Sequence, residues 1–161
     1  MATPTYDLLD SVTLTSSQTS INFTGIPQTY KELVVRATVR SVYFTRLRMT
    51  VNSNTNSDYQ SVMGFGTGGS AYGYRLSNGN YFRLGDQTYV SSGTDSIYIS
   101  TLGNYSSSQY KSIVCESADT NATGIMAGTL QNTSAVTSVN MFLEQGDFTS
   151  TTKIELYGVA G

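Results

Sequence analysis

The hydrophobic residues of this chain recur at every second position along most of its length. In residues 33–40, Leu, Val, Ala and Val alternate with Val, Arg, Thr and Arg, and residues 44–51 follow a similar alternation. An amphipathic helix needs apolar residues three and four positions apart, whereas a period of two is typical of a β-strand with one buried face. The pattern therefore predicts two successive strands in this part of the chain.

Several other segments are short, rich in β-branched or aromatic residues, and bounded by Gly, Asn, Asp or Ser, which is typical of strands. These segments are 11–15, 21–23, 96–102, 110–116, 124–130, 136–143 and 153–159. Ser and Thr fill 45 of the 161 positions, and both are poor residues for a helix interior. Strands at a spacing of roughly 8–12 residues predict an all-β fold, namely an antiparallel β-sandwich or jelly roll.

The length of the chain fits one domain. We expect residues 11–161 to form a single β-sandwich domain and residues 1–10, with Pro4 and Tyr6, to form an extended N-terminal arm. Residues 61–93 differ from the rest because they contain eight glycines, most of them interleaved with Tyr and Phe. We predict that this segment is a long hairpin or a loop insertion, and Asn78-Gly79 favours a type I′ turn within it.

The composition excludes several kinds of chemistry. Because the chain has no His, Ser-His-Asp catalysis and imidazole-bound metals are ruled out. The single cysteine, Cys115, forms no intrachain disulfide and is expected to be a small buried apolar residue. A net charge of −2 gives no reason to expect nucleic acid as a partner. The first residues lack the pattern of a signal peptide, and no apolar run approaches a membrane span, so we expect production in a cytoplasm and no membrane partner.

Three motifs invite a catalytic or ligand-binding interpretation. The glycines of 64–69 lack the Lys-Ser/Thr of a phosphate-binding loop. Asn52, Asn54, Asn56 and Asp58 have the spacing of calcium ligands, but one charge among them favours a polar loop between strands. The carboxylates are scattered singly, which disfavours a glycosidase with paired acids. We predict no enzymatic activity, no cofactor and no metal.

Five of the nine basic residues lie within 31–48, where two strands are predicted. If those strands pair, the arginines form a basic stripe, which is a solvated outer face, a docking patch for an acidic protein surface or, as the least favoured interpretation, a contact for nucleic acid. The tyrosines of 72–89 suit an interface, a glycan platform or ordinary loop packing. The candidate interface residues are Tyr6, Arg36, Arg40, Phe44, Arg46, Arg48, Tyr72, Tyr74 and Tyr81.

The order of the segments resembles that of a known family. Residues 20–36, SINFTGIPQTYKELVVR, resemble the opening of virion structural proteins of tailed bacteriophages, notably phages of cyanobacteria. The Asn-rich loop of 52–59, the LQNTSAVTSV of 130–139 and the closing IELYGV of 154–159 resemble later parts of the same family.

This resemblance implies a β-sandwich with a non-enzymatic role in the virion. We expect a capsid decoration, or cement, protein that binds the major capsid protein on the outer surface of the shell after assembly in the host cytoplasm. The resemblance also implies a homo-oligomer, with a trimer at local three-fold positions. The alternative is a receptor- or glycan-binding module of a tail fibre, in which loops 52–60 and 64–93 form the sugar site.

Overall fold

Twelve antiparallel strands make up the regular structure of the described chain. The computed structural model describes residues 5–85, 94–120 and 122–161. The strands are β1 (Tyr6–Thr13), β2 (Ser20–Thr24), β3 (Glu32–Val39), β4 (Leu47–Val51), β5 (Tyr59–Thr67), β6 (Ser70–Gly79), β7 (Phe82–Arg83), β8 (Ser96–Gly103), β9 (Lys111–Ala118), β10 (Ala122–Leu130), β11 (Ser138–Leu143) and β12 (Lys153–Val159). The predicted all-β class is confirmed.

The strands form two sheets that stack as a sandwich. The larger sheet has eight strands in the order β1-β12-β3-β8-β9-β10-β5-β6, and the smaller has four in the order β2-β11-β4-β7. All pairings are antiparallel. The predicted antiparallel β-sandwich is therefore confirmed.

The core lies between the inner faces of the two sheets, where the period-two pattern directs its apolar residues. In β3, Leu33, Val35 and Val39 are almost fully buried. The smaller sheet supplies Phe23, Val139, Met141, Leu47, Met49 and Phe82 from the other side. Cys115 is completely buried among them, and this burial raises the pKa of its thiol to about 12. It is the small apolar residue that the sequence predicts.

The N-terminal segment differs from the predicted arm. From Tyr6 onwards the chain is β1, which pairs with β12 along one edge of the larger sheet. The arm expected over 1–10 is therefore largely an edge strand, because Leu9 and Val12 pack against the core. Residues 1–4 lie outside the described residues.

The Gly/Tyr-rich segment contains the predicted hairpin, but its turn lies elsewhere. Strands β5 and β6 are joined at Gly68-Gly69, whose φ angles of 55° and 87° suit glycine. Asn78-Gly79, the predicted turn, instead ends β6, where Gly79 pairs with Tyr59 beside a register shift. Residues 86–93 of the predicted insertion lie outside the described residues.

Candidate docking surface

The outer face of the larger sheet, which points away from the smaller sheet, carries apolar side chains at its centre. Ile99, Glu116 and Ile125 lie opposite one another in a row across β8, β9 and β10. The neighbouring row contains Val114 of β9 and Val62 of β5, joined through one residue of β10. We define the outer apolar face as Val62, Ile97, Ile99, Val114 and Ile125, each 40–60% exposed.

This face departs from the usual polarity of a sheet with one side in water. Antiparallel sheets normally turn apolar residues inward and polar residues outward. In β8 the reverse holds, because the buried Ser96 and Ser100 flank Tyr98 on the inner face while Ile97 and Ile99 are exposed. Contiguous exposed apolar residues on a protein surface are typical of contact sites for other proteins.

Two of the predicted interface residues meet on this same side of the sheet. The Arg36 guanidinium lies 5.8 Å from the ring centre of Tyr6 and 5.4 Å from that of Tyr157. The two tyrosine rings are 6.5 Å apart in an edge-on arrangement. Because cation–π contacts of this kind fix the arginine in place, they add an ordered aromatic and basic margin to the outer apolar face.

Arg46 and Arg48 lie on the smaller sheet and share one carboxylate. Arg46 Nη1 is 2.8 Å from Glu144 Oε2, and Arg48 Nη2 is 2.6 Å from Glu144 Oε1. Burial alone would raise the pKa of Glu144, but the Arg46 hydrogen bond and the nearby Arg48 and Arg83 charges outweigh it and hold the pKa below its usual range. Arg48 also lies 4.1 Å from the ring centre of Tyr81.

The predicted basic stripe does not form. It required β3 to pair with β4, but β3 pairs with β12 and β8, while β4 pairs with β11 and β7 in the other sheet. Arg36 and Arg48 therefore point away from each other on opposite sides of the sandwich. Arg40 lies at the end of β3, where its Nη2 is 3.0 Å from Asp95 Oδ1.

The remaining candidates occupy two further places. Phe44 lies in the connection between β3 and β4 and is 59% exposed. Tyr72 and Tyr74 lie on the inner face of β6, opposite Phe65 and Met63. They stay half exposed because the smaller sheet does not extend over this edge. The nine candidates thus do not form one surface.

The Asn-rich loop uses its polar groups internally. The Asn52 side chain donates to the Ala135 carbonyl at 2.7 Å and accepts from the Thr137 and Ser138 amides. Asn54 donates to Asp58 Oδ2 at 3.1 Å. The Asn52 bonds join the loop to the residues that lead into β11, and the Asn54 bond closes the loop on itself. Both are expected for a polar loop between strands.

Two further features that the sequence analysis considered, a metal site and a membrane-spanning segment, are addressed by the described residues. Among the described residues, no three His, Cys, Asp or Glu side chains gather where they could hold a metal ion. No helix in the described part of the chain has the length and apolar character to cross a membrane.

Comparisons with known proteins give no family. No protein-family model matches the chain, and no curated protein is similar to it in sequence. Among solved structures, the galectin LEC-6 of Caenorhabditis elegans aligns over 100% of this chain and 99% of its own, with 9% identity and a TM-score of 0.37. A protein of unknown function from Shewanella oneidensis MR-1 aligns over 100% of this chain and 79% of its own, with 11% identity and a TM-score of 0.24.

Proposed function

We propose that this chain is a non-enzymatic virion structural protein of a tailed bacteriophage, a capsid decoration protein that binds the outer surface of the assembled shell. The observation that carries the proposal is the outer apolar face. It spans four adjacent strands of the larger sheet, β8, β9, β10 and β5, and its side chains are 40–60% exposed. Such a face suits a broad contact with another protein better than it suits a small ligand, which requires a concave site.

The partner in this proposal is the major capsid protein, as the sequence resemblance implies. A shell presents many identical copies of one surface, so moderate contacts made by each docked chain add up over neighbouring positions. The Tyr6, Arg36 and Tyr157 cluster gives the apolar contact a polar margin, as is usual at the rim of protein interfaces. The trimeric state implied by the resemblance belongs to the same proposal.

The test uses two valines with equal exposure. Val62, on the outer apolar face, and Val42, in the connection after β3, are each 60% exposed. Val62→Glu places a charge in the proposed contact, where its desolvation opposes binding. We expect Val62→Glu to weaken co-sedimentation with undecorated shells by about tenfold or more, and Val42→Glu to leave it unchanged.

The reverse ranking of the two variants, or shells that bind neither the wild type nor the variants, would contradict the proposal. Melting temperatures of both variants provide the control for folding.

The second candidate is a receptor- or glycan-binding module of a tail fibre. The specific observation in its favour is the pair of half-exposed rings of Tyr72 and Tyr74 at the open edge of the sandwich. Phe65 already stacks on Tyr72, with ring centres 5.3 Å apart. This candidate predicts that the chain binds host cells and that Tyr74→Ala abolishes the binding, whereas the decoration proposal predicts no binding to cells.

A further inference from the structure

The two edges of the larger sheet differ in how they are protected against pairing with another strand. At one edge, β1 carries Asp7 and Asp10, and a register shift between Leu8 and Asp10 interrupts its ladder. Charges and bulges are the usual devices that block an edge. At the other edge, residues 70–76 of β6 pair regularly with β5 on one side only.

Among the described residues, β6 has no partner strand on its second side, and the regular backbone there offers little to repel a new strand. The segment from Ser70 to Leu76 contains no proline and a single charge, Arg75. Its side chains are exposed apart from the half-buried Leu76. A long, exposed edge of this kind is a template for the addition of an extended peptide.

The side chains of β6 define the chemistry of the strand that fits. Residues 72 and 74 point to the inner face and present tyrosine rings, whereas residues 71, 73 and 75 point to the outer face as Ala, Gly and Arg. Arg75 has no hydrogen bond or ion pair among the described residues. An incoming strand with acidic residues on the outer face and apolar residues on the inner face would pair with Arg75 and cover both rings.

A second copy of this chain fits the same edge less well. The described β6 strand has no Asp or Glu, so pairing of β6 with its own copy leaves both Arg75 side chains without a carboxylate. The geometry points to a peptide-binding edge: β6 takes up an extended acidic segment of a partner protein as a ninth strand of the larger sheet, with a carboxylate of that segment on Arg75. Arg75 lies directly opposite Val62 of the outer apolar face, but the inference concerns the backbone edge of β6 and is tested with a peptide in the absence of shells, so its failure is distinguishable from failure of the shell contact.

The test is calorimetric titration of the full chain with a capped peptide of about nine residues in which valine and glutamate alternate. We expect micromolar binding, and about tenfold weaker binding of the same peptide with lysine in place of glutamate. Methylation of alternate backbone amides on the side that pairs should abolish binding, because it removes the ladder hydrogen bonds. Arg75→Glu should reverse the preference between the two peptides.

The matched control is Lys31→Glu, which makes the same change of charge at an exposed position outside β6 and should leave the preference unaltered. Circular dichroism and melting temperature confirm that both variants are folded. Equal binding of the methylated peptide, an unchanged preference in Arg75→Glu, or no binding of the acidic peptide would each overturn the inference. Sedimentation of the chain alone provides one more outcome: an oligomer that does not bind the acidic peptide, although the dissociated chain does, would indicate that β6 pairs with a second copy and would also overturn the inference.

Discussion

At the scale of single residues, the arrangement around Glu144 determines how the sandwich responds to acid. Of the two arginines that bind its carboxylate, Arg46 directly precedes β4 and Arg48 is its second residue, while Glu144 follows the last residue of β11. The ion pairs therefore join the two strands at the point where their ladder ends. Because the three side chains are each less than one third exposed, solvent screens them only in part.

Glu144→Gln should make the stability of the chain less sensitive to acid. The pKa of Glu144 is held below its ordinary value of 4.5, so its stabilising effect is complete above that pH and is lost as the pH falls through the lowered pKa. The difference in free energy of unfolding between wild type and Glu144→Gln should therefore shrink below pH 4.5. Urea unfolding from neutral to acidic pH measures it.

The control for this experiment is Glu116→Gln, at an exposed position on the outer face of β9. A stability difference between wild type and Glu144→Gln that is the same at every pH would show that the carboxylate has no titrating role.

The burial of Lys111 is a feature that the sequence pattern does not reveal. Its side chain is fully buried, and its ammonium donates to the carbonyls of Ser107, Gln109 and Thr133 at 2.5, 2.6 and 3.3 Å. This burial lowers the pKa of Lys111. The carbonyls come from two loops that are distant in sequence, so nothing in the local pattern distinguishes this lysine from a solvated one.

At the scale of elements, the glycines of neighbouring strands have different roles. A Cβ on Gly128 of β10 would lie 2.7 Å from the Gln60 carbonyl oxygen and 3.1 Å from the Phe82 ring. A Cβ on Gly64 of β5 would meet no atom within 4 Å. Gly128 therefore permits close packing of β10 between β5 and the smaller sheet, whereas Gly64 is free of such a constraint.

Gly128→Ala should destabilise the chain by about 1–3 kcal/mol, because the added methyl group overpacks a filled interior. The matched variant Gly64→Ala should be neutral or slightly stabilising, since it restricts the unfolded chain without a clash. Chemical denaturation of both variants measures the two effects. Equal destabilisation by the two changes would contradict the packing described around β10.

The elements themselves were largely predictable, and their pairing was not. The spacing of apolar residues and the turn residues that flank them placed β3, β8, β10 and β12 within a few residues of their bounds. It missed the start of β1, where Leu9 is left unpaired at the register shift between Leu8 and Asp10. The predicted basic stripe was conditional on the pairing of β3 with β4, and it does not form because β4 belongs to the other sheet.

The sequence contains a signal for the outer apolar face, but the expectation of one buried face per strand hid it. Residues 96–100 read Ser-Ile-Tyr-Ile-Ser, and each of the two alternating sets contains large apolar or aromatic side chains. A strand with one wet face would show a polar set instead. The expectation of one buried face per strand led to the arginines as the candidate contacts, whereas the structure exposes the isoleucines.

At the scale of the whole molecule, the larger sheet carries the two features on which the proposals rest. Its outer face exposes apolar side chains around Glu116, and its β6 edge has no second partner strand among the described residues. In both proposals the chain binds its partner through a surface or an edge of this sheet and not through a cleft. The proposed role as a decoration protein rests on the first of these features.

The most direct measurement for that role is a cryo-electron microscopy reconstruction of undecorated phage shells incubated with the purified chain. The account predicts ordered density at repeated positions on the shell exterior, with the outer face of the eight-stranded sheet against the major capsid protein. A shell surface without added density, or docked chains whose outer apolar face points into solvent, would contradict it.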